Sequence, residues 1–257
     1  MLSDAVTRRL IQAAIAAAVA LLVTLLARRE GVRVTGDIAT AMARGILQIA
    51  AVGSILVFVL KGPLWLAAVA LALMVGAAAA TSARRARGMP GALRVSAIAL
   101  LAGPGVMIAL MTWWRVIDRD LATLIPVGSM LIANAMNTNG LALNRFRADV
   151  LAHVGEIEMA LALGAEPGVS AQPYVTGAVE ASLIPSIDSI RSLGIVWIPG
   201  LMAGMVLSGA SPLEAALYQF VVLAMIFASS ALTTLVSTTL MRRRVFSPAA
   251  DQLLLRP

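Results

Sequence analysis

Long runs of apolar residues dominate the chain, and short clusters of charged residues separate them. A transmembrane helix needs about 20 mostly apolar residues to cross roughly 30 Å of hydrocarbon. By this measure the sequence predicts seven spans, at about Leu10–Ala27, Ile46–Leu60 (extended back towards Ala39), Leu64–Thr81, Val95–Trp114, Leu121–Leu143, Ile195–Leu207 (extended back towards Ser189) and Ala215–Leu240. The pattern is typical of an all-α fold, a polytopic transmembrane helical bundle that forms a single domain over residues 1–257.

Two of these spans have a second interpretation or an internal break. The first could be a signal peptide, but Arg28-Arg29-Glu30 follows it where small residues would mark cleavage, so we expect an uncleaved span. Pro199 and Gly200 interrupt the sixth. Proline is tolerated in a membrane helix when neighbouring groups satisfy the freed carbonyl.

The composition excludes several classes of protein. Apolar residues make up 60% of the chain and charged residues 13%, against roughly 45–50% and 25% in soluble domains. A soluble enzyme, a disordered protein and a nucleic-acid-binding protein are therefore excluded. The absence of Cys excludes disulfides and thiolate metal sites. The single Lys, Lys61, precedes Gly62, so the chain has no phosphate-binding GK[ST] loop and any ATP must be hydrolysed on another chain.

The basic residues predict the orientation in the membrane, because cytoplasmic loops carry an excess of Lys and Arg. With seven spans and a cytoplasmic C-terminus, fifteen of the twenty basic residues lie inside. The other five are Arg8, Arg9, Lys61, Arg115 and Arg119. The sequence therefore predicts an N-outside, C-inside topology, although the pair Arg8-Arg9 disagrees locally.

The only sizeable segment outside the spans is the cytoplasmic loop 144–188. Within it, Asp149–Leu163 has helical periodicity, Gly164 stops the helix, and a second helix over Ser170–Ile184 ends at Pro185. The loop is thus a predicted helix-turn-helix. An amphipathic helix lying on the bilayer is the alternative. The polar face of the first helix is acidic, which fits a basic protein partner better than an anionic membrane surface.

Several stretches carry a resemblance to a known family. Residues 158–167 resemble the EAA loop of ABC-transporter permeases, with Ile184-Pro185 as its ending, although Met159 replaces an Ala and the stretch after Gly164 is longer. Further stretches are similar to the Fet-type (FetB-like) ABC transporter permease family, the bacterial iron-export permeases with plant aluminium-tolerance relatives. They are residues 44–48, 134–137, 181–189, 194, 198–204, 209–215 and 218–219.

The resemblance implies a multi-pass permease in the bacterial inner (plasma) membrane that exports iron or another metal ion. It implies an ABC ATP-binding subunit as partner, which would hold ATP and Mg²⁺, and no cofactor on this chain. Because each chain offers one docking loop and a paired ATPase needs two, we expect a homodimer. The residues implied in ATPase coupling are Glu158, Ala160, Gly164, Ala165 and Pro185.

Polar and thioether side chains within or beside the spans are candidates for a substrate pathway, because polar groups in hydrocarbon are unfavourable without a role. The candidates are Gln48, Met130, Asn134, Asn137 and Asp188. The alternatives are that the amides only bond neighbouring helices and that Asp188 is a solvated carboxylate. With no Cys and one His, the chain cannot build a tight soft-metal site.

An ion-gradient-driven secondary transporter of a small solute is the alternative function. Such a transporter would need a carboxylate within the membrane as its ion site. The predicted spans contain no Asp or Glu near their centres, which argues against proton coupling.

Overall fold

The computed structural model describes residues 2–30, 35–247 and 253–255 of the chain. These residues form α-helices joined by short turns, one π-helical turn and two isolated β-bridges, with no extended strand among them. The prediction of an all-α fold is confirmed.

The chain divides into two compact units, Met1–Gly62 and Pro63–Pro257. The first unit contains the helices α1 (Leu2–Arg29) and α2 (Thr35–Leu60). The second unit contains α3 (Trp65–Arg85), α4 (Ala92–Leu100), α5 (Val106–Trp113), α6 (Leu121–Ala152), α7 (Val154–Ala162), α8 (Pro167–Ser170), α9 (Gln172–Arg191), α10 (Gly200–Leu207) and α11 (Pro212–Arg244). The π-helical turn Leu101–Gly105 joins α4 to α5 and contains Pro104, where the sequence predicts a continuous fourth span.

Five helical segments in the described part of the chain are long and apolar enough to cross a membrane. They are Val6–Arg29, Trp65–Arg85, Ala92–Trp113, Leu121–Ala152 and Pro212–Arg244. They coincide with the first, third, fourth, fifth and seventh predicted spans. The second predicted span coincides with α2, which is 26 residues long. The structure does not describe some side chains of α2, so the assignment of α2 as a membrane span stays a prediction.

The sixth predicted span is wrong as a continuous helix. Residues 192–199 are not helical, Gly194 has a φ of +74°, and Pro199 is extended. Helix α10 has eight residues, which reach about 12 Å and cannot cross the bilayer. Instead, the 20-residue helix α9 packs against both α6 and α11. Helices α9 and α10 thus form one broken element.

The predicted loop helices also have different bounds. The first is interrupted at His153, so residues 149–152 belong to α6 and α7 begins at Val154. The second continues through Pro185 to Arg191, because packing against α6 and α11 retains the helix where the proline removes one hydrogen bond.

The long helices of the second unit have defined directions. Asn139 of α6 bonds Ser82 near the end of α3 and Ser96 near the start of α4. Phe146 of α6 and Met241 of α11 share one buried cluster. Helices α3, α6 and α11 therefore run parallel, and α4 and α5 run against them.

The C-terminal ends of α3, α6 and α11 define what we call the arginine end of the second unit. Its basic residues are Arg84, Arg85, Arg87, Arg94, Arg145, Arg147, Arg242, Arg243 and Arg244. Beneath them lies a buried apolar cluster that includes Phe146, Ile157, Val175 and Met241. This cluster joins α7 and the start of α9 to the long helices, so the loop is fixed to the bundle by its apolar side.

Candidate functional site

A cavity of about 310 Å³ lies among α6, α9 and α11 and the start of α10. Its walls are formed by Met130, Asn134, Asn137, Thr138, Leu141, Ser182, Pro185, Ser186, Ser189, Trp197, Pro199, Gly200, Gln219, Leu223, Ile226 and Phe227. Three of the predicted pathway residues, Met130, Asn134 and Asn137, therefore lie together at one cavity. Pro185, predicted in the coupling loop, lines it as well.

The cavity lies within the lengths of the long helices rather than at their ends. At 1.5 Å per residue, Asn134 is about 20 Å from the start of α6 and Gln219 about 10 Å from the start of α11. Its walls combine two long apolar helices with the break between α9 and α10. Discontinuous helices of this kind form the substrate sites of many transporters.

The amides of α6 divide into two groups. Asn134 and Asn137 are exposed at the cavity, and Asn134 donates from Nδ2 to the Met130 carbonyl at 2.9 Å. Asn139 is fully buried, and its Nδ2 donates to Ser82 Oγ at 3.1 Å and Ser96 Oγ at 3.2 Å. Asn139 thus bonds neighbouring helices, and the other two amides are available to a ligand.

Two predicted pathway residues do not line the cavity. Gln48 lies in the first unit, on an exposed face of α2. Asp188 was predicted near the cytoplasmic start of span six. In the structure it lies in the last turn of α9, which begins at the arginine end, about 20 Å beyond the buried Val175. There Asp188 is exposed and lies 3.8 Å from the Arg191 guanidinium.

Sequence reasoning did not assign Gln219 to the pathway. Its side chain is only 2% exposed, and its Oε1 has no hydrogen-bond partner in the described part of the chain. Gln219 lines the cavity from α11, opposite the α6 amides. A polar residue within the long apolar run of span seven is the sequence signal that marks it.

Six hydroxyl-bearing residues of α11 lie on the packed side of that helix, namely Ser229, Ser230, Thr233, Thr234, Ser237 and Thr238. Thr233 and Thr238 are buried and donate to carbonyls of their own helix at 2.7 Å. Gly103 of the π-helical turn approaches so closely that an added Cβ would lie 1.9 Å from Thr233 Oγ1. These residues pack helices together and do not reach the cavity.

The helix α7 presents an exposed face at the arginine end. Ile157 is buried in the apolar cluster, while Glu158, Met159 and Leu163 point away from it, with Met159 65% and Leu163 83% exposed. In the described part of the chain, Glu158 has no ion pair. An acidic group next to two exposed apolar side chains is typical of a protein-docking surface.

The end of α7 has the geometry of a Schellman motif. Gly164 has a φ of +87° and donates from its N–H to the Leu161 carbonyl at 2.9 Å, and Ala165 donates to the Ala160 carbonyl at 3.0 Å. This position needs a left-handed backbone conformation, which glycine adopts without strain. The C-terminal end of α7 is thus formed by three of the predicted coupling residues, Ala160, Gly164 and Ala165.

Side-chain contacts attach the loop to the long helices. Arg242 of α11 donates from Nη1 to the Gly168 carbonyl at 3.3 Å and to the Gln172 Oε1. The ring of His153 stacks on that of Tyr174 at 5.1 Å, and the Tyr174 hydroxyl donates to Glu156 Oε2 at 3.2 Å.

The described residues contain no group of three or more His, Cys, Asp or Glu side chains that could hold a metal ion. The cavity walls carry amides, hydroxyls, the Met130 thioether, the Trp197 indole and apolar side chains, and no charged group. This arrangement suits weak, reversible contact with a ligand rather than tight coordination of a resident metal.

Residues 10–246 match the family described as "Uncharacterised protein family (UPF0014)". The chain belongs to the UPF0014 family. Its relatives include the UPF0014 membrane protein STAR2 of Oryza sativa subsp. japonica, 35% identical over 88% of this chain and 79% of the relative. The protein ALUMINUM SENSITIVE 3 of Arabidopsis thaliana is 31% identical over 93% of this chain and 88% of the relative.

Another relative is the probable iron export permease protein FetB of Escherichia coli strain K12. It is 28% identical over 87% of this chain and 86% of its own length. These matches confirm the predicted resemblance to FetB-like permeases and plant aluminium-tolerance proteins. No solved structure matches the chain. The UPF0014 chain is thus a membrane protein whose relatives include permeases.

Proposed function

We propose that this UPF0014 chain is the permease subunit of an ABC transporter that exports iron or another metal ion from a bacterial cell. ATP and Mg²⁺ bind a separate ATP-binding subunit, and two copies of the permease assemble with two copies of that ATPase. The main support for the proposal is the exposed face of α7. This short helix is fixed to the bundle by Ile157 and exposes Glu158 beside Met159 and Leu163.

The ATPase docks on α7 from the cytoplasm. A rigid helix with one buried side can transmit a movement of the ATPase to the helices on which it rests. The apolar cluster beneath α7 includes side chains of α6, α9 and α11, and these three helices also form the cavity. A movement of α7 at the arginine end can therefore be transmitted to the cavity through the packed side chains of these three helices.

In the proposed orientation, the arginine end lies in the cytoplasm. All nine Arg residues of that end lie near the ends of long helices, as expected of a cytoplasmic face. The proposed spans are the five apolar helices, α2, and the broken element α9–α10, with the N-terminus outside. The bilayer is the bacterial inner membrane.

The substrate assignment comes from the printed names of relatives. One of them is a probable iron export permease, and another is named for aluminium sensitivity. A metal ion passing through this chain would meet the neutral oxygens and the Met130 thioether of the cavity. Weak contacts of this kind favour release, which transport requires.

The deciding experiment reverses the charge of the docking helix. The Glu158→Lys and Gly164→Val proteins should accumulate in the membrane normally, while the ATPase no longer co-purifies and transport stops. Charge reversal at Glu214, at the opposite end of α11, is the matched control. Normal co-purification and transport by a fully expressed Glu158→Lys protein would refute the coupling role of α7.

Secondary transport is a second candidate because of one observation. Asp188 lies in the last turn of α9, beside the element break and far from the arginine end. A carboxylate at that depth is a candidate ion site. Transport into inverted vesicles that needs a proton gradient but no ATPase, and that Asp188→Asn abolishes, would favour this candidate over the ABC permease.

A further inference from the structure

Three arginines of the arginine end come from three different helices and lie around one turn. Arg85 ends α3, Arg147 lies in the last turns of α6, and Arg244 ends α11. The turn is formed by residues 86–91, which join α3 to α4. Each of the three parallel helices therefore contributes one guanidinium to this place.

Two glycines of the turn lie against the guanidiniums. Arg244 lies directly over Gly91, where an added Cβ would overlap its Nη1. A Cβ at Gly88 would lie 3.8 Å from Arg147 Nε and 3.9 Å from its Nη2. Gly88 and Gly91 are three residues apart, which is about 11 Å at most. Two positive groups from distant parts of the sequence thus flank the same short turn.

Arg85 completes the group from the side of α6. Its side chain lies across Gly140, where an added Cβ would be 2.7 Å from Arg85 Cδ and 3.2 Å from its Nη1. Arg147 follows Gly140 by seven residues, which is two turns along the same face of α6. The side chains of Arg85 and Arg147 therefore lie along one face of this helix.

These guanidiniums have no anionic partner within the described ranges of the chain. Arg147 and Arg244 are partly buried, and Arg147 Nε is buried without a hydrogen-bond partner. By contrast, Arg145 is exposed and pairs with Asp149 at 2.9 Å. Partly buried like charges are unfavourable unless an anion compensates them. The group therefore indicates an anionic ligand.

Apolar surface continues from the turn along α4. One apolar helical segment ends at Arg85 and the next begins at Ala92, so the turn lies at the edge of the proposed spans. Leu93 is 55% and Leu101 58% exposed, two turns apart on one face. A ligand at this place meets positive charge at one end and an apolar face beside it.

We propose that Arg85, Arg147 and Arg244 bind the phosphate of an anionic phospholipid, whose acyl chains lie along the exposed face of α4. Arginine donates paired hydrogen bonds to phosphate oxygens, and basic pockets between membrane helices bind anionic headgroups. The bound phosphate connects the ends of α3, α6 and α11. This inference goes beyond the proposed function, because it concerns the lipid and requires neither ATPase nor substrate.

A free phosphate ion shares the chemistry of the headgroup but has no acyl chains. The exposed leucines of α4 contribute nothing to its binding, whereas they add apolar contact for a lipid. Inorganic phosphate is therefore the probe that separates the two sources of the same group.

The test counts lipids bound to the purified full chain by native mass spectrometry in a nonionic detergent. Dioleoyl phosphatidylglycerol is compared with dioleoyl phosphatidylcholine, which has the same chains and no net charge. We expect the anionic lipid to bind about tenfold more tightly or more, because charge-assisted hydrogen bonds gain from its net charge. Inorganic phosphate at the same concentration should not displace it.

Two double variants connect this preference to the turn. The Arg147→Gln/Arg244→Gln protein should bind phosphatidylglycerol about tenfold more weakly or worse, because two charge-assisted contacts are lost. The matched control is Arg145→Gln/Arg243→Gln, which removes two exposed charges from the same two helices. Its affinity should change less than about twofold, because exposed charges are screened.

Melting curves in phosphatidylcholine check that both double variants are folded. If the Gln protein does not fold, Arg147→Lys/Arg244→Lys takes its place. It keeps the charge, but it should also lose affinity, because lysine lacks the planar fork that fits phosphate.

Several results would overturn the proposal. Equal affinity of the two double variants for phosphatidylglycerol would reduce the effect to general charge, and equal binding of the two lipids by the wild type would remove it. Displacement by inorganic phosphate would assign the site to a free ion. Loss of ATPase co-purification by the Arg147→Gln/Arg244→Gln protein, with unchanged lipid affinity, would assign these arginines to a protein contact. The lipid measurements contain no ATPase, so this inference and the docking on α7 fail separately.

Discussion

At the scale of single residues, side chains of the same type have different roles because they face different neighbours. Asn134 and Asn137 lie at the cavity, while Asn139 is enclosed by Ser82 and Ser96. At Gly103 the helix α11 lies so close that there is no room for a side chain, whereas Gly105 in the same π-helical turn has open space around it. These contrasts provide pairs of substitutions that share a local structure and differ in contact.

We expect Gly103→Ala to destabilise the protein and Gly105→Ala to leave it unchanged. A Cβ at Gly103 would lie 1.9 Å from Thr233 Oγ1 and 2.5 Å from the Ser229 carbonyl oxygen, whereas nothing lies within 4 Å at Gly105. Overpacking of this kind costs about 1–3 kcal/mol. Thermal unfolding followed by intrinsic tryptophan fluorescence measures both. Equal melting temperatures for the two proteins would contradict the close packing of the turn on α11.

The cavity amides provide a second prediction at this scale. Replacing Asn134 and Asn137 together with Leu should reduce transport and leave expression and ATPase docking intact, because neither amide bonds another helix. The matched control is Asn144→Leu, on the same helix. Gln48→Leu, tested separately, shows whether the first unit contributes to the pathway. Normal transport by the double variant would mean that the cavity amides have only a packing role.

At the scale of elements, one arginine adds polar contacts between the bundle and the loop that joins α6 to α9, beside the buried apolar cluster. Arg242 donates to the Gly168 carbonyl and to Gln172, while its neighbour Arg243 is exposed and has no such bond. Hydrogen bonds from a charged group contribute about 1.5–3 kcal/mol each. The last turn of α11 thus fixes the start of α9 and, through it, the position of α7.

We expect Arg242→Gln to loosen this attachment and Arg243→Gln to have no effect on it. Backbone amides of residues 167–175 should exchange hydrogen about tenfold faster or more in the Arg242 variant, since 1.4 kcal/mol corresponds to a factor of ten. Hydrogen-exchange mass spectrometry reports this segment directly. Unchanged protection there would show that the apolar cluster alone holds α9 in place.

At the scale of the whole molecule, the distribution of charged and apolar surface indicates how the protein is placed in a membrane. Nearly all apolar side chains of α1 are exposed, with 6% of its span buried, and such a surface is stable only against lipid or another apolar chain. Basic residues gather at one end of the second unit. The exposed apolar surface indicates a membrane protein, and the basic end indicates a preferred orientation in the bilayer.

The topology prediction is tested with reporter fusions. A reporter placed after Arg244 should give a cytoplasmic signal, and one placed within residues 115–120 should give an exterior signal, because α6 and α11 run in parallel from that side. Reporters active on opposite sides of the membrane provide the two readings. A cytoplasmic signal from the fusion at 115–120 would contradict the N-outside, C-inside arrangement.

The assembly prediction is tested by native mass spectrometry of the complex purified from the membrane. We expect two copies of this chain and two of the ATPase, because each permease presents one α7 and the ATPase pair needs two docking helices. The Glu158→Lys protein should still form a dimer without the ATPase. A stable and active complex with a single permease copy would refute the assignment.

Features that depend on local chemistry could be predicted from the amino-acid sequence alone. Apolar runs of about 20 residues predict membrane helices because hydrocarbon leaves backbone groups no partner but their own helix. Gly164 was predicted to stop the loop helix, and the structure confirms this, with a φ of +87° at the end of α7. The periodicity of Asp149–Leu163 predicted a loop helix with an apolar side and an acidic side, and Ile157 on the apolar side is buried in the bundle. Each of these features is encoded within a few turns of chain.

Which elements meet, and which faces they pack together, depends on tertiary contacts that the sequence pattern does not reveal. The sequence predicts a loop helix over Ser170–Ile184, yet the helix extends over Gln172–Arg191 as α9 and packs against α6 and α11. The short α10 follows it where the sequence predicts a sixth span. Asn139 and Asn137 look equivalent in sequence until Ser82 and Ser96 are placed beside one of them. Gln219 becomes part of a cavity wall only when three helices enclose it, because burial and the lack of a partner are properties of the assembled helices and not of the residue.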